Sequence, residues 1–309
     1  MAAPPTDHAT IARGLTEAFP ELGDVAVTKT LGTGFNSIAV ETDTGLVFRV
    51  ARTEGTGARF AMETRLLPIL RTSLPLAVPE PKWFASRTDR FPLGVIGYPK
   101  IEGRTLQPGL LRADNLPELA DQAARVLVAL HSVPLSAVAD VRLPQNEEIS
   151  ANYRSLARET LPVLKERMTP LEFARLDRWW AAFLTDERIT QFEPVLTHGD
   201  FWYENMIVDE DATRILGIVD WEHAAIGDRS QDFATLLHLG RDFAAETLRA
   251  YRKHGGLFND NDSYRMERLW ELRDFYGVLY GIRFNDEEEL VDSIRKLRGG
   301  PVLTALDSP

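Results

Sequence analysis

The chain has 309 residues, of which 44% are hydrophobic and 26% charged, and it contains no cysteine. This length allows one large or two ordinary domains with a substantial core. The composition excludes disordered, collagen-like and disulfide-stapled classes, and with them thiolate nucleophiles and zinc-thiolate sites. No stretch approaches the roughly 18 apolar residues of a membrane span, and residues 1–20 lack a signal-peptide pattern. We therefore expect a cytoplasmic protein.

The net charge of -11 is distributed unevenly along the chain. Residues 1–103 carry 11 basic and 11 acidic side chains, so the whole excess lies in residues 104–309. An acidic field attracts cations and repels nucleic acid and anionic membranes. We expect no nucleic-acid or membrane partner, although an ordinary solubilising surface also explains the excess. The expected assembly is a monomer or a weak dimer.

The first hundred residues predict a small sheet with one principal helix. Apolar and polar residues alternate with period two, and two turns interrupt this alternation. Apolar residues then recur at helical spacing, and the prolines that follow end this helix. In order, the predicted elements are a helix at 8–19, three strands across 25–50 with turns at 31–34 and 43–45, a helix at 60–70, strands at 81–86 and 93–99, and a connector at 100–103.

The rest of the chain is mainly helical in its periodicity, with one island of short strands across residues 194–221. The strands of this island are predicted at 206–208 and 215–219. We expect an α+β protein with a nucleotide-binding lobe over 1–103 and a helical lobe over 104–309. The predicted helices are 115–131, 149–166, 170–185, 232–239, 246–254, 263–284 and 287–297.

The strand island carries an unusual concentration of polar residues. Asp200 is followed five residues later by Asn205, and Asp220 stands at the end of the next hairpin. This spacing supplies one carboxylate base, Asp200, and two oxygen ligands of the kind that Mg²⁺ favours, Asn205 and Asp220. Phosphoryl transfer needs these parts, together with a cation over the phosphates. A turn-capping role for the three side chains is the alternative interpretation.

The cation is expected in the first lobe. Arg49, in the third predicted strand, is the candidate for the phosphates, and Glu63 on the following helix can pair with it and hold its guanidinium. A surface arginine and an exposed helix glutamate are the alternatives. Gly32 and Gly34 allow the preceding turn to approach a nucleotide, with Asn36 and Ser37 as donors.

These residues together resemble a known family. His198, Asp200, Asn205 and Asp220 are similar to the HxDxxxxN and IxDW pattern of the aminoglycoside phosphotransferase family. Residues 227–234 are similar to the segment that follows this pattern in the family. The resemblance implies a bilobal protein-kinase-like fold: a small antiparallel N-terminal sheet with a helix, and a larger, mainly helical C-terminal lobe.

The resemblance also implies roles for individual residues. Asp200 would accept the proton of the acceptor hydroxyl, and His198 and Asp232 would support its loop. Tyr98 would occupy the gatekeeper position, and Ile101 would offer the main backbone contact to the base, since Pro99 has no N–H. A tyrosine there is seen in family members that prefer GTP, so the donor is expected to be ATP or GTP with Mg²⁺.

The acceptor is expected to be a small cationic molecule. Carboxylates that could face its ammonium groups are Glu222, Asp228, Asp286 and Glu289. The last two follow an aromatic stretch that includes Tyr276 and Phe284. The acidic run at 286–289 is also what the first turn of a helix prefers, because it complements the helix dipole.

The sequence leaves four functions open. An antibiotic kinase of the aminoglycoside type, with hygromycin-like and viomycin-like substrates included, is the leading interpretation. A metabolite kinase acting on choline or an amino sugar uses the same site. A macrolide kinase would need a broad apolar pocket, and an inactive nucleotide-binding relic is the non-enzyme alternative. A protein kinase is disfavoured, since no activation segment separates Asp220 from Asp232.

Overall fold

A five-stranded antiparallel sheet forms the smaller lobe in the computed structural model, which describes residues 5–304. The strand order is β1-β2-β3-β5-β4, and every neighbouring pair is antiparallel. The elements of this lobe are α1 (His8–Ala18), β1 (Val27–Thr33), β2 (Ser37–Thr42), β3 (Leu46–Ala51), α2 (Thr56–Ser73), β4 (Trp83–Ala85) and β5 (Val95–Pro99).

The two helices pack in different ways. The Asp7 side chain caps α1 by accepting a hydrogen bond from the Thr10 N–H, and Ile11 and Leu15 then pack on one face of the sheet. Helix α2 places Leu66 and Leu70 in the core of the larger lobe, so it connects the two lobes. The buried apolar face therefore fixes where the polar residues of α2 point.

The larger lobe contains most of the helices and two small sheets. One sheet has the order β6-β8-β9, and the other pairs β10 with β7. The elements are β6 (Arg104–Thr105), α3 (Leu116–His131), α4 (Asn146–Arg167), α5 (Pro170–Thr185), α6 (Glu187–Thr190), β7 (Val195–Thr197), β8 (Met206–Val208), β9 (Ile215–Ile218), β10 (Ala225–Gly227), α7 (Ser230–Leu236), α8 (Arg241–Lys253), α9 (Asp260–Trp270), α10 (Arg273–Phe284), α11 (Glu287–Gly299) and α12 (Pro301–Thr304).

Two hydrophobic clusters hold this lobe together. The first joins α2, α3, α7 and α8 around β8 and β9, and the second joins α4 and α5 to α9, α10 and α11. The catalytic candidates lie on the loops beside the first cluster, since β7, β8 and β9 end there. Within residues 5–304, no helix combines the length and apolar character that crossing a bilayer requires.

The predicted two-part α+β architecture is confirmed, and several boundaries are corrected. Gly32 lies within β1, whereas the turn was predicted to begin at Leu31. The single helix predicted over 263–284 is two helices, since the chain turns at Glu271 and Leu272. There the Glu271 carboxylate accepts the indole N–H of Trp179 at 2.7 Å, and Leu272 is buried. The short elements β7, β10, α6 and α12 were not predicted.

Candidate active site

The turn that carries Asp200 is held by a buried carboxylate. Asp232 at the start of α7 accepts the N–H groups of His198 and Gly199 at 3.1 and 2.8 Å. His198 donates from Nε2 to the Val219 carbonyl at 3.0 Å and accepts the Asp200 N–H at Nδ1. Desolvation lowers the pKa of His198, which favours this neutral tautomer. The expected supporting roles of His198 and Asp232 agree with this geometry.

Gly199 is required at its position in this turn. Its φ is +79°, and a Cβ there would meet the His223 carbonyl oxygen at 2.2 Å. The close approach brings the Asp200 turn against the turn that follows Asp220. The two predicted acidic residues therefore belong to one site.

Asn205 orients the candidate base. Its amide nitrogen donates to the main-chain oxygen of Asp200 at 2.9 Å and to the Asp200 carboxylate at 3.1 Å. Desolvation, followed by the neighbouring Asp220 charge, raises the pKa of Asp200 to about 7, although Asn205 opposes the rise. The carboxyl is thus poised to exchange a proton near neutral pH.

Asp220 has a strained backbone. It is in the left-handed region with φ 62° and ψ 63°, which non-glycine residues rarely adopt and which costs about 1 to 3 kcal/mol. Such strain persists where the surroundings hold the residue firmly, and it is common at functional sites. Here the carboxylate is directed to the cleft, where 34% of the side chain is exposed.

Arg49 crosses the cleft to reach this carboxylate. From β3 its guanidinium donates to both oxygens of Glu63 on α2 at 2.8 and 3.0 Å, and to Asp220 Oδ1 at 2.5 Å. It also contacts Glu222. Desolvation raises the pKa of Glu63, against the pull of Arg49. The predicted Arg49–Glu63 pair is therefore present, and it is joined to the candidate metal ligand.

The β1–β2 turn contributes an unexpected link. The Gly34 N–H donates to the Ser37 carbonyl, and the Ser37 hydroxyl accepts from Arg49 at 3.5 Å. Asn36 donates from its amide nitrogen to Glu222 at 2.8 Å, so this side chain joins the two lobes. Added Cβ atoms at Gly32 and Gly34 would meet nothing closer than 3.6 Å, which leaves room above the turn.

The expected base-binding residues lie at the end of β5. Tyr98 is 5% exposed, and burial raises the pKa of its hydroxyl, with Arg49 opposing. Ile101 follows in the connector and is half-buried. Among residues 5–304 its N–H has no hydrogen-bond acceptor, as a contact to a nucleotide base requires.

Asn205 and Asp220 form a donor set that fits Mg²⁺. The side-chain nitrogen of Asn205 donates to Asp200, and among residues 5–304 the side-chain oxygen of Asn205 accepts no hydrogen bond. Asp220 offers a partly exposed carboxylate. The described residues contain no group of three or more His, Cys, Asp or Glu side chains arranged for a metal. Mg²⁺ in kinases typically uses only one or two protein side chains and completes its shell with phosphates and water.

The four predicted acceptor carboxylates have other partners. Glu222 is 5% exposed and lies between Arg49 and Asn36. Asp228 accepts Arg265 Nε at 2.7 Å and the Ser230 N–H at 3.0 Å. Each of these two carboxylates pairs with a buried guanidinium that it shares with other acidic side chains: Arg49 also pairs with Glu63 and Asp220, and Arg265 also pairs with Asp262. That they face the ammonium groups of an acceptor stays a prediction.

The acidic run before α11 also serves its own helix. Asp286 caps α11 by accepting the Glu289 N–H at 3.1 Å, and Glu289 accepts the Ser293 hydroxyl at 2.8 Å. The helix-start interpretation of this run is thus the one the geometry supports. Asp286 and Glu289 do not line the cavity beside the Asp200 turn.

That cavity has a volume of about 130 Å³ and opens between α4 and α10. We call it the α4/α10 pocket. Its lining includes Gly199 and Asp228, beside residues that sequence reasoning had not selected. Tyr276 belonged to the aromatic stretch, whereas Asn152 and Tyr153 carried no motif and could have been found only as polar residues on the inner face of α4.

Comparisons with known proteins identify the family of this chain. A model of the phosphotransferase enzyme family matches residues 29–269. Viomycin phosphotransferase of Streptomyces vinaceus is 27% identical over 219 residues, which cover 69% of this chain and 72% of that protein.

Solved structures show the same fold. The GDP and kanamycin complex of APH(2")-IIia is 22% identical, with a TM-score of 0.77 over 92% of this chain and 96% of that one. Macrolide 2'-phosphotransferase type I is 21% identical, with a TM-score of 0.68 over 96% and 99% of the two chains. The predicted bilobal kinase-like fold and the predicted enzyme class, a phosphotransferase with an alcohol acceptor, are confirmed. This chain belongs to the phosphotransferase enzyme family that its Asp200, Asn205 and Asp220 motif resembles.

Proposed function

We propose that this enzyme transfers the γ-phosphate of ATP or GTP, in a Mg²⁺-dependent reaction, to a hydroxyl of a small antibiotic-type molecule. One observation carries the proposal. Arg49 from the smaller lobe meets Asp220 at 2.5 Å, beside the Asn205–Asp200 pair of the larger lobe. The groups that phosphoryl transfer requires thus converge on a single cleft.

On the donor side, the β1–β2 turn with Gly32, Gly34 and Ser37 would cover the phosphates, and Tyr98 and Ile101 would border the base. Arg49 would bind the α- and β-phosphates through its guanidinium, which Glu63 holds from behind. Its bonds to Asp220 and Glu222 keep the side chain extended across the cleft. A guanidinium held in this way loses little rotamer freedom when it binds phosphate.

Asn205 and Asp220 would hold the metal. When bound, Mg²⁺ supplies positive charge against the phosphate oxygens and lowers the cost of the charge that develops on them. The protein contributes the Asp220 carboxylate, which Arg49 contacts, and the Asn205 side chain, whose amide nitrogen is held by Asp200.

Asp200 is the proposed proton acceptor. As the acceptor oxygen forms its bond to the γ-phosphorus, the hydroxyl proton passes to the Asp200 carboxylate. The bond between that phosphorus and the β-γ bridging oxygen breaks, and the nucleoside diphosphate leaves with the electron pair. The Asn205 amide keeps the carboxylate aimed during this step.

The identity of the acceptor is proposed from the relatives and from charge. Viomycin phosphotransferase is a relative, and a structural neighbour was solved with kanamycin, so basic antibiotics are the first candidates. The acidic excess of residues 104–309 would attract such cations at long range. A metabolite kinase is the second candidate, since Glu222 and Asp228 are already paired within the protein. A kinase needs ATP or GTP, and both are available in the cytoplasm, where we expect this protein to act.

Consumption of ATP and GTP, measured against a panel of viomycin, kanamycin, macrolides and amino sugars, tests this proposal. We expect magnesium-dependent turnover with at least one basic antibiotic, and no turnover by Asp200→Ala. Turnover only with amino sugars would select the metabolite kinase. No turnover with any acceptor, in a protein that binds nucleotide, would contradict the kinase proposal.

The nucleotide preference is tested at Tyr98. The buried ring narrows the space beside the base, so Tyr98→Ala should shift the ratio of initial rates toward ATP. Initial rates with both nucleotides measure the shift. An unchanged ratio would remove the gatekeeper role from Tyr98.

A further inference from the structure

The Glu222 carboxylate uses two donors that are expected to serve the nucleotide phosphates. Its Oε2 contacts Nη2 of Arg49, and its Oε1 accepts the Asn36 amide at 2.8 Å. Arg49 and Asn36 belong to the smaller lobe and Glu222 to the larger one, and all three side chains are buried. We call these two contacts the Glu222 bridge. Carboxylates and phosphates accept from a guanidinium in similar geometry, so the bridge uses contacts that a phosphate would need.

The bridge leaves the cleft-facing end of Arg49 without a free donor. Nη2 of a guanidinium carries two N–H groups, and here they face Asp220 at 2.5 Å and Glu222. At the other end, Nη1 donates to both oxygens of Glu63. A phosphate oxygen can therefore bind Nη2 only after a carboxylate has left it. Asp220 is the proposed metal ligand, and Glu222 is the other carboxylate that must leave.

A second cation lies close to the Glu222 carboxylate. Arg59 is on α2, about one turn before Glu63, and is half-buried. Its Nη1 lies 3.5 Å from Nδ1 of His223, and Nε2 of the same imidazole lies 3.5 Å from Glu222 Oε1. Among residues 5–304, the Arg59 guanidinium pairs with no carboxylate. One imidazole thus separates the Glu222 carboxylate from an arginine that has no ion-pair partner in this part of the chain.

We propose that Glu222 exchanges between two positions: in the arrangement described above it takes the place of the phosphates on Arg49 and Asn36, and nucleotide binding transfers it to Arg59. The bridge then competes with the nucleotide and lowers its apparent affinity, because only molecules in which Glu222 has moved can bind the phosphates. A nucleoside without phosphates leaves the bridge in place. The inference rests on the proposed function only in taking Arg49 and Asn36 as phosphate ligands.

Nucleotide binding by two Glu222 variants tests the bridge. Glu222→Gln keeps the size of the side chain and removes its charge, so the Kd of ATP or GTP with Mg²⁺ should fall about three- to tenfold. Glu222→Asp keeps the charge but is one methylene shorter, so it cannot hold both Arg49 and Asn36, and its Kd should fall as well. Isothermal titration calorimetry on the full chain measures these values.

The nucleosides adenosine and guanosine are the control ligands, and their affinities should be the same in the wild type and both variants. Unchanged or weaker nucleotide binding by Glu222→Gln would overturn the proposal. Wild-type nucleotide binding by Glu222→Asp would also overturn it, because the effect of Glu222→Gln would then come from the lost charge and not from the bridge.

Arg59→Gln should act in the opposite direction. It removes the second position of Glu222 and leaves the bridge intact, so the Kd of the nucleotide should rise about three- to tenfold. Arg65→Gln is the matched control on the same helix, because Arg65 is exposed and faces the Asp140 carbonyl at 3.5 Å. In a double variant with Glu222→Gln, the Arg59 change should have no further effect, since no carboxylate remains to be transferred. A loss of affinity that persists in the double variant would mean that Arg59 binds the phosphates itself, and the exchange would be wrong.

Turnover separates this inference from the proposed function. If the Kd values change as expected while no acceptor is phosphorylated, only the kinase proposal fails. If acceptors are phosphorylated but the Glu222 and Arg59 variants bind nucleotide as the wild type does, only the exchange fails. A wild-type chain that binds neither ATP nor GTP would contradict both.

Discussion

The carboxyl group of Asp200 is buried, and it lies near the negative charge of Asp220. Burial, and then Asp220, raise the pKa of its carboxyl to about 7. A proton acceptor works best when its pKa lies near the working pH, since it is then both available and sufficiently basic. The same two causes therefore suit this residue to its proposed role as proton acceptor and carry a cost in stability.

The first prediction concerns the pH dependence of catalysis. Because the proposed transfer requires the ionised form of Asp200, kcat/KM should be low below about pH 7 and should rise as the pH increases through this value. Asp200→Asn should lower kcat by about 10² to 10⁴ and change nucleotide affinity only a few fold. Initial rates from pH 5.5 to 9 measure both, with the exposed Asp211→Asn as control. A flat profile, or wild-type turnover by Asp200→Asn, would contradict the assignment.

The second prediction concerns stability. The folded pKa of about 7 lies above the ordinary 3.8, so between about pH 4 and 7 the folded protein keeps a proton that the unfolded chain has lost. Ionisation of Asp200 therefore lowers stability as the pH rises through this range. Asp200→Asn should be more stable than wild type by about 1 to 3 kcal/mol at pH 8 and similar to it at pH 4. Urea unfolding at the two pH values measures this, and equal stabilities at pH 8 would refute it.

Among the structural elements, the β1–β2 turn and helix α10 make an unexpected contact across the cleft. Phe35 at the tip of the turn packs on Tyr280 and Phe284, with centroids 6.0 and 5.4 Å apart. Arg283 lies over the Phe35 ring, and Arg52 lies over Phe284 at 4.4 Å. Each aromatic or cation-π pair contributes about 0.5 to 1.5 kcal/mol, so several together can hold the turn against the larger lobe.

The third prediction follows from this contact. Phe35→Ala should free the β1–β2 turn, which is proposed to cover the phosphates, and raise the KM of the nucleotide about three- to tenfold. Leu31→Ala is a suitable control, since Leu31 is an exposed residue of the same hairpin. Steady-state rates with the nucleotide varied measure the effect. A nucleotide KM that matches the control would show that the contact does not hold the turn.

Helix boundaries show where local pattern stops being informative. The periodicity over 263–284 continues in phase through Glu271 and Leu272, so nothing local signals the break. The turn forms because Trp179 bonds Glu271 and because Leu272 enters the second hydrophobic cluster. Where a proline or a capping residue marks the start of a helix, as Pro170 and Asp286 do, the predicted and observed boundaries agree closely.

On the scale of the whole molecule, the two lobes are joined by ion pairs through the proposed nucleotide site. Arg49 binds Asp220 and Glu222, and Asn36 binds Glu222, all across the cleft. A nucleotide that takes up these groups contacts both lobes at once. Its binding free energy then adds to the stability of the folded chain.

The fourth prediction uses this linkage. A nucleoside triphosphate with Mg²⁺ at 100 times its Kd should stabilise the fold by about 2.7 kcal/mol and raise the thermal midpoint by several degrees. Removal of the metal with EDTA should abolish most of the shift, and Asp220→Ala should lose the metal-dependent part. Differential scanning calorimetry measures the midpoints. An equal shift in Asp220→Ala would exclude this residue as a metal ligand.

The sequence by itself determined the fold class, and it was enough to group the residues of the candidate site. Asp200, Asn205 and Asp220 lie within 21 residues of one another, on a turn and a hairpin, so local structure alone brings them together. Arg49 and Glu63 are likewise neighbours through a strand and the helix that follows it. Motif spacing carries this information because few backbone paths connect such close positions.

Only the tertiary structure decided which carboxylates remain free for a substrate. Glu222 pairs with Arg49, 173 residues away, and Asp228 pairs with Arg265, 37 residues away. Burial makes an unpaired carboxylate costly, so each one takes whichever cation the fold brings closest, and no local pattern records that choice. The charge of the α4/α10 pocket is set in the same way, by distant partners and not by composition.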